Sequence, residues 1–197
     1  NVGKIRTVWI LTVLICAASC LPVEAKRADD PEITIKINEI RVEDTVYTPY
    51  YIVQTEQDHQ QGSAHKWLRL GVYFTTEGGW IDELQIKQMA CFEGSEGKHV
   101  VLAESERYIN LNPGDHYVYM YLHPSYVERY TIDASEVDSA AFIMFEGKEL
   151  AHREIAREHP EGWSRKVNGS AERGYLLNHT ETPFWFINYD FKEVIKH

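Results

Sequence analysis

The sequence predicts an all-β domain, most simply two packed antiparallel sheets, and three observations carry that expectation. Apolar and polar residues alternate with a period of two in run after run. Turn signals separate the runs at fairly regular spacing: "EGG" at 77–79, "GSEG" at 94–97, "NPGD" at 112–115 and Glu146-Gly147-Lys148. A helical period is almost absent. Eight to ten short strands of this kind describe a β-sandwich.

Each element follows from its residues. "ITIKINEIRV" begins with Ile33, Ile35 and Ile37 on one face, and the phase slips at Asn38-Glu39 before Ile40 and Val42. One slip in a long strand is the mark of a β-bulge. "QTEQDHQQGSAH" at 54–65 is polar without a period and reads as a loop. "KWLRLGVYFTT" places Leu68, Leu70, Val72 and Phe74 on one face, and "WIDELQIKQMACFEG" does the same with Leu84, Ile86, Ala90 and Phe92, with Gln88 among them. "KHVVLAES" reads as a short strand. "DHYVYMYLHP" sets Tyr117, Tyr119 and Tyr121 against Val118, Met120 and Leu122. Ser125, with Glu128 three residues later, predicts one short helix near 125–130 opened by a capping box. "SAAFIMFEGKELAHREI" predicts a hairpin turning at Glu146-Gly147-Lys148. Residues 156–174 read as a long charged excursion, and "YLLNHT" and "FWFINYDFKEV" as two final strands, the last buried on both faces.

The chain has 197 residues, enough for a single domain. Its first 25 residues differ from the rest. Lys4 and Arg6 precede the apolar run "VWILTVLICAAS", Pro22 breaks it, and "VEA" ends in a small residue at Ala25. This is the three-part pattern of a signal peptide, and the apolar run is shorter than the roughly 20 residues that span a bilayer. The expected organisation is a signal peptide at 1–25, a polar leader at 26–32 and one sandwich domain at 33–197. Ala17-Ala18-Ser19-Cys20 also resembles a lipoprotein cleavage box, with Cys20 as lipid acceptor. Membrane attachment is expected only through such a lipid or an uncleaved signal. Cleavage after Ala25 leaves Cys91 as the one cysteine, so the exported domain is held by packing without an internal disulfide. That points to a bacterial envelope: the periplasm or outer envelope of a Gram-negative-type cell.

Charge excludes one class of partner. The chain carries 20 basic and 30 acidic side chains; without Lys4, Arg6 and Glu24 the balance is 18 against 29, or −11. Such a surface repels phosphate backbones, so nucleic acid is not an expected partner.

Little in the sequence has the spacing of chemistry. His116 and His123 lie seven apart and point to opposite faces of a strand. His152, His159 and His179 have no neighbours at ligand spacing, and Cys91 reads as a small buried hydrophobe. Ser125 and Ser164 lack a nucleophile-elbow context. No catalytic residue, metal ligand or cofactor is expected, and the protein reads as a non-enzyme. The candidate binding residues are aromatic: Tyr117, Tyr119, Tyr121, Trp80 and Trp163. The tyrosine row has three readings: a wall covered by the 156–174 excursion, a surface for a partner protein, or a platform for sugar rings with Asp115 and His123 at its polar ends.

"WIDELQIKQM", "NPGDHYVYMYLHPSYVERY" and "TPFWFINYDF" together resemble a family of exported verrucomicrobial proteins of unknown activity, of the Akkermansia type. The resemblance covers most of residues 33–195. It implies an immunoglobulin-like sandwich acting structurally at the envelope, in association with a type IV pilus-like gene cluster. It implies no catalytic residue. Pilins of the usual type carry a Glu five residues into a long N-terminal helix; here Ile5 holds the fifth place and Pro22 ends the apolar run. An accessory of pilus assembly therefore fits better than a pilin subunit. The expected partners are envelope or pilus-assembly proteins, with a glycan as the alternative.

Overall fold

The computed structural model describes residues 32–49, 64–167, 171–187 and 193–196. The expected signal peptide with Cys20, the polar leader up to residue 31 and the loop at 54–63 lie outside these residues. Among the described residues no helix is long and apolar enough to cross a membrane.

Among the described residues nine strands form two antiparallel sheets. The first sheet holds β1 (Thr34–Tyr47), β2 (Lys66–Glu77), β5 (Gly114–Leu122) and β8 (Leu176–Asn178), in the order β1-β2-β5-β8. The second holds β3 (Ile81–Glu93), β4 (His99–Leu111), β6 (Asp138–Phe145), β7 (Lys148–Ile155) and β9 (Val194–Ile195), in the order β7-β6-β3-β4-β9. The all-β sandwich expected from the alternation is the fold observed.

In β1, β2 and β3 the inward-facing residues are those that alternation selected. Ile37, Ile40, Val72, Phe74 and Val118 of the first sheet meet Leu84, Ile86, Tyr108 and Ile143 of the second. Leu68, Leu70, Met120 and Leu122 meet Ala90, Phe92 and Leu102 at the other end. Helix α1 (Pro124–Tyr130) closes that end with Val127.

The slip at Asn38 is a real bulge: pairing with β2 shifts register between Ile37 and Glu39. A bulge frees backbone carbonyls from the ladder. Arg153 of β7, in the opposite sheet, donates to two of them, at 2.7 Å to the Asn38 carbonyl and 3.3 Å to that of Ile37. One guanidinium thereby ties the two sheets together along that side. The β6–β7 hairpin turns on Glu146 and Gly147, with φ of 48° and 75°. Two successive positive φ values give the turn whose twist matches the flanking strands.

Four local expectations are corrected. The helix near 125–130 forms, but its cap is His123, whose Nδ1 accepts from the Ser125 amide at 3.2 Å. Pro124 then takes the first helical position, where a missing N–H costs nothing. "KHVVLAES" is the first part of a 13-residue strand, because β4 continues to Leu111 beside all of β3. "FWFI" is not strand. Asn178 caps a 3-10 turn at His179–Glu181, and Phe184–Ile187 continue as turns. Residues 188–192 lie outside the description, and the last strand is Val194–Ile195. Finally, the described part of the 156–174 excursion does not cover the tyrosine row. Its helix α2 (Trp163–Val167) lies on the outer face of the five-stranded sheet, against Met89, Cys91, Ala103 and Phe142.

Candidate functional site

The outer face of the four-stranded sheet is the candidate site, and strand register builds it. Tyr117, Tyr119 and Tyr121 of β5 stand beside Tyr73, Gly71 and Arg69 of β2. Beyond them β1 sets Glu39, Arg41 and Glu43 beside the same three β2 residues. Side chains on one face of neighbouring strands lie within reach of each other, so the three rows form one ladder of aromatic and charged groups.

Gly71 sets the shape of this ladder. A Cβ built there would meet the Tyr119 ring at 3.1 Å and the Tyr73 ring at 3.2 Å. Without it, both rings lie down over the strand backbone, and their hydroxyls approach to 3.3 Å. Two arginines cover the rings from outside. Arg41 lies 4.6 Å from the Tyr73 centroid and Arg69 4.7 Å from that of Tyr119, both at cation–π distance. Each is held by an acid: Arg41 donates to Glu39 at 2.7 Å, and Arg69 to Glu43 at 2.7 Å through Nε. Burial opposes the Arg69 charge, but the Glu43 hydrogen bond and charge outweigh it and raise the guanidinium pKa. Burial and then the Tyr73 hydroxyl raise the pKa of the Tyr119 phenol, which stays neutral.

The row grades from open to covered along β5. Tyr117 is 44% exposed, with its ring edge-on to Tyr73 at 4.9 Å. Tyr119 is half-buried. Tyr121 is only 2% exposed, because Phe184 stacks on it at 4.9 Å and 15° and Trp67 closes its edge. The segment that brings Phe184 onto the row continues as Trp185, Phe186 and Ile187, all exposed. At the open end a groove of about 370 Å³ lies beside Tyr117, lined by Asn38, Glu39, Arg41, Tyr73 and Asp115 among others. There Asn38 donates to Thr75 at 2.7 Å, and Thr75 donates to Asp115 at 2.5 Å.

The five aromatic candidates therefore do not make one site. Tyr117 and Tyr119 share the open ladder. Tyr121 belongs to a small aromatic core with Trp67 and Phe184 and presents no free face. Trp80 is 68% exposed, but in the connection between β2 and β3 and outside the groove lining. Trp163 is 1% exposed on the opposite sheet, where α2 buries it, so it offers no surface to a ligand.

Sequence reasoning missed Arg41, Arg69 and Tyr73, which register alone brings to the row. It also treated the histidines as scattered, and the fold gathers several of them. His116 is buried and points inward, while His123 is exposed past the end of β5, where it caps α1, so the two do not share a strand. His116 Nδ1 lies 2.7 Å from a Glu193 carboxylate oxygen, and its Nε2 lies 2.8 Å from the Asn112 carbonyl. Burial opposes its charge, yet two facing acceptors satisfy both ring N–H groups only in the protonated ring, and the pKa is raised. His152 Nε2 lies 3.1 Å from the hydroxyl of Ser164, which donates to Glu154 at 2.6 Å. Ser164 is fully buried, so this triplet anchors α2. His159, expected to stand alone, lies against Cys91 and His99.

Comparison with known proteins gives the kinship. No curated protein matches the chain. Among solved structures, a crystal structure of a protein from Akkermansia muciniphila is 23% identical, covers 84% of this chain and 94% of that one, and superposes with a TM-score of 0.72. At that identity the likeness is one of fold, and both chains are sandwiches of the same kind. A protein-family model matches residues 26–197, nearly the whole chain, and the protein belongs to that family.

Proposed function

We propose that the protein is an exported, non-catalytic binding or structural module of the cell envelope of a Gram-negative-type bacterium, an accessory of pilus assembly that docks envelope or pilus-assembly proteins. One observation carries the reading. The outer face of the four-stranded sheet presents a tyrosine–arginine ladder to solvent, and it runs on through Phe184 to exposed Trp185, Phe186 and Ile187. Tyr, Trp and Arg are the residues that concentrate binding energy between proteins, and contiguous exposed apolar surface marks a place of contact. The acid-paired arginines keep the ladder preorganised, which lowers the ordering cost of binding. The start of the family model at residue 26, directly after Ala25, fits export with signal cleavage. Two of the three nucleophile candidates support a non-catalytic role. Ser164 is sealed inside, and burial, with Asp138 beside it, pushes the Cys91 thiol up to about 11.

The groove favours a second reading, a carbohydrate held beside Tyr117. Its polar edge of Asn38, Glu39, Arg41 and Asp115 offers hydrogen bonds to sugar hydroxyls, and its volume is that of a small-ligand site. Against it, the rings of Tyr73 and Tyr117 cross at 84° and do not form a flat platform.

Crosslinking and pull-down from the native envelope, with mass spectrometry of the captured species, separates the two. A defined set of envelope proteins, lost with both Arg41→Ala and Trp185→Ala, supports the docking reading. Capture of polysaccharide alone, lost with Tyr117→Ala and unaffected by Trp185→Ala, moves the function to glycan binding. Capture that neither Arg41→Ala nor Trp185→Ala alters would sink the assignment of this face.

A further inference from the structure

The strongest unassigned cluster lies on the other sheet. Cys91 is in β3, His99 opens β4, and His159 follows β7. Pairing places Cys91 opposite Val101 and Glu93 opposite His99, so Cys91 and His99 lie close along one hairpin. The His99 and His159 rings lie 4.3 Å apart, and the Cys91 Sγ is 3.8 Å from His159 Nε2 and 4.0 Å from Nδ1. One donor atom from each of the three residues lies within 4.8 Å of the others.

We propose that Cys91, His99 and His159 form a binding site for a borderline transition-metal ion of zinc's class. Three features of the geometry support this. First, ligands at about 2.3 Å (sulfur) and about 2.0 Å (nitrogen) around a tetrahedral ion sit roughly 3.6 Å apart, close to the Sγ–Nε2 spacing. Second, His159 has the outer partner that metal-bound histidines have. Its Nδ1–H donates to Asp138 Oδ2 at 2.6 Å, which leaves Nε2 as the free donor. Because the sulfur lies beside the ring, nearly as far from Nδ1 as from Nε2, the Cys91 side chain turns toward Nε2 when the ion binds. Asp138 is fully buried and is itself fixed by the backbone amides of Arg157, Glu158 and His159. Third, the set is one thiol, which the bound ion would deprotonate, and two imidazoles, a set that suits zinc and not calcium or magnesium. A Cys-His-Asp nucleophilic triad uses the same residues, but Cys91 is 1% exposed and out of reach of a substrate carbonyl, while a small ion can enter past exposed His99. The fourth position is left to water on the His99 side. Binding joins β3, β4 and the segment leading into α2, so the ion pins the excursion to the five-stranded sheet.

The test uses the full chain carrying Cys16→Ser and Cys20→Ser, reduced and stripped with a chelator, so that Cys91 is its one thiol. Cobalt(II) serves as the visible probe and zinc as the competitor. The expected result is one equivalent of cobalt giving intense visible bands of tetrahedral coordination and a near-ultraviolet thiolate-to-cobalt band, both erased by one equivalent of zinc. Zinc at one hundred times its Kd raises Tm by about 5 °C or more. His99 is exposed, so His99→Ala leaves the core intact; it should weaken cobalt binding by at least about tenfold, the smaller loss seen even when an outer partner of a metal site is removed. Absence of the thiolate band in the parent protein, or binding by His99→Ala equal to the parent's, overturns the assignment.

Discussion

Replacing Trp163 by alanine measures whether the 156–174 excursion is part of the fold. The side chain is 1% exposed, packs on Met89, Cys91, Ala103 and Phe142, and donates from its indole nitrogen to the Ile155 carbonyl at 3.3 Å. An indole buries roughly 200–250 Å², which at about 25 cal/mol per Å² is worth about 5–6 kcal/mol. Alanine keeps part of that, and measured truncations of this kind cost about 3–5 kcal/mol. The Ile155 carbonyl also loses its donor, so the expected loss is about 4 kcal/mol. With a urea m-value of about 2 kcal/mol/M, the midpoint falls by about 2 M at unchanged m. Trp185→Ala is the internal control: that ring is 52% exposed, and its loss should cost less than about 1 kcal/mol. Urea unfolding followed by circular dichroism reads both. A Trp163→Ala midpoint within about 0.5 M of the parent, at equal m, would refute the packing of α2 on the five-stranded sheet.

Three further outcomes follow from the same geometry. Gln88 lies at 1% exposure within the sandwich, and its amide nitrogen and oxygen meet no hydrogen-bond partner among the described residues; Gln88→Met, which keeps the shape and removes the polar atoms, should stabilise by about 1–3 kcal/mol in urea unfolding. Gly71→Val should push Tyr73 and Tyr119 off the strand and destabilise by about 1–3 kcal/mol, with new exposure of tyrosine fluorescence to quencher. The folded pKa of His116 is raised, so its pairing with Glu193 contributes fully below the unfolded value of about 6.5 and is lost as pH rises through the folded pKa. Protection of the Lys196 amide, which donates to the Arg107 carbonyl at 2.8 Å just past Glu193, should therefore fall across that rise once exchange is corrected for its base-catalysed intrinsic rate, and His116→Gln should remove that fall.

Much of the fold was legible before any coordinates. Period-two alternation chose the inward faces of β2 and β3 correctly, because one face of each strand must bury its apolar residues. The slip at Asn38 and the Glu146-Gly147 turn were likewise local events with local signatures. Errors came where local pattern was ambiguous. "FWFI" is apolar at every position, and such a run does not distinguish a strand from aromatic turns docked on a sheet. Trp163 sits in a charged stretch whose burial depends on which sheet it meets.

The candidate site divides in the same way. Tyr117 and Tyr119 could be picked out along one strand, but Arg41, Arg69 and Tyr73 join them only through register between strands up to about fifty residues apart. Cys91, His99 and His159 carry no sequence spacing at all. Their proximity comes from a hairpin and a returning loop, and Asp138, buried and unremarkable in sequence, holds the last of them in place. By itself, then, the sequence determined the class of fold, the inner faces, the tight turns and the acidic balance, because short-range sterics and the burial of apolar groups decide these. Tertiary structure alone decided which aromatics are open, which arginines lie over them and which histidines meet a thiol. Those depend on contacts between residues far apart in the chain, and neither period nor composition encodes them.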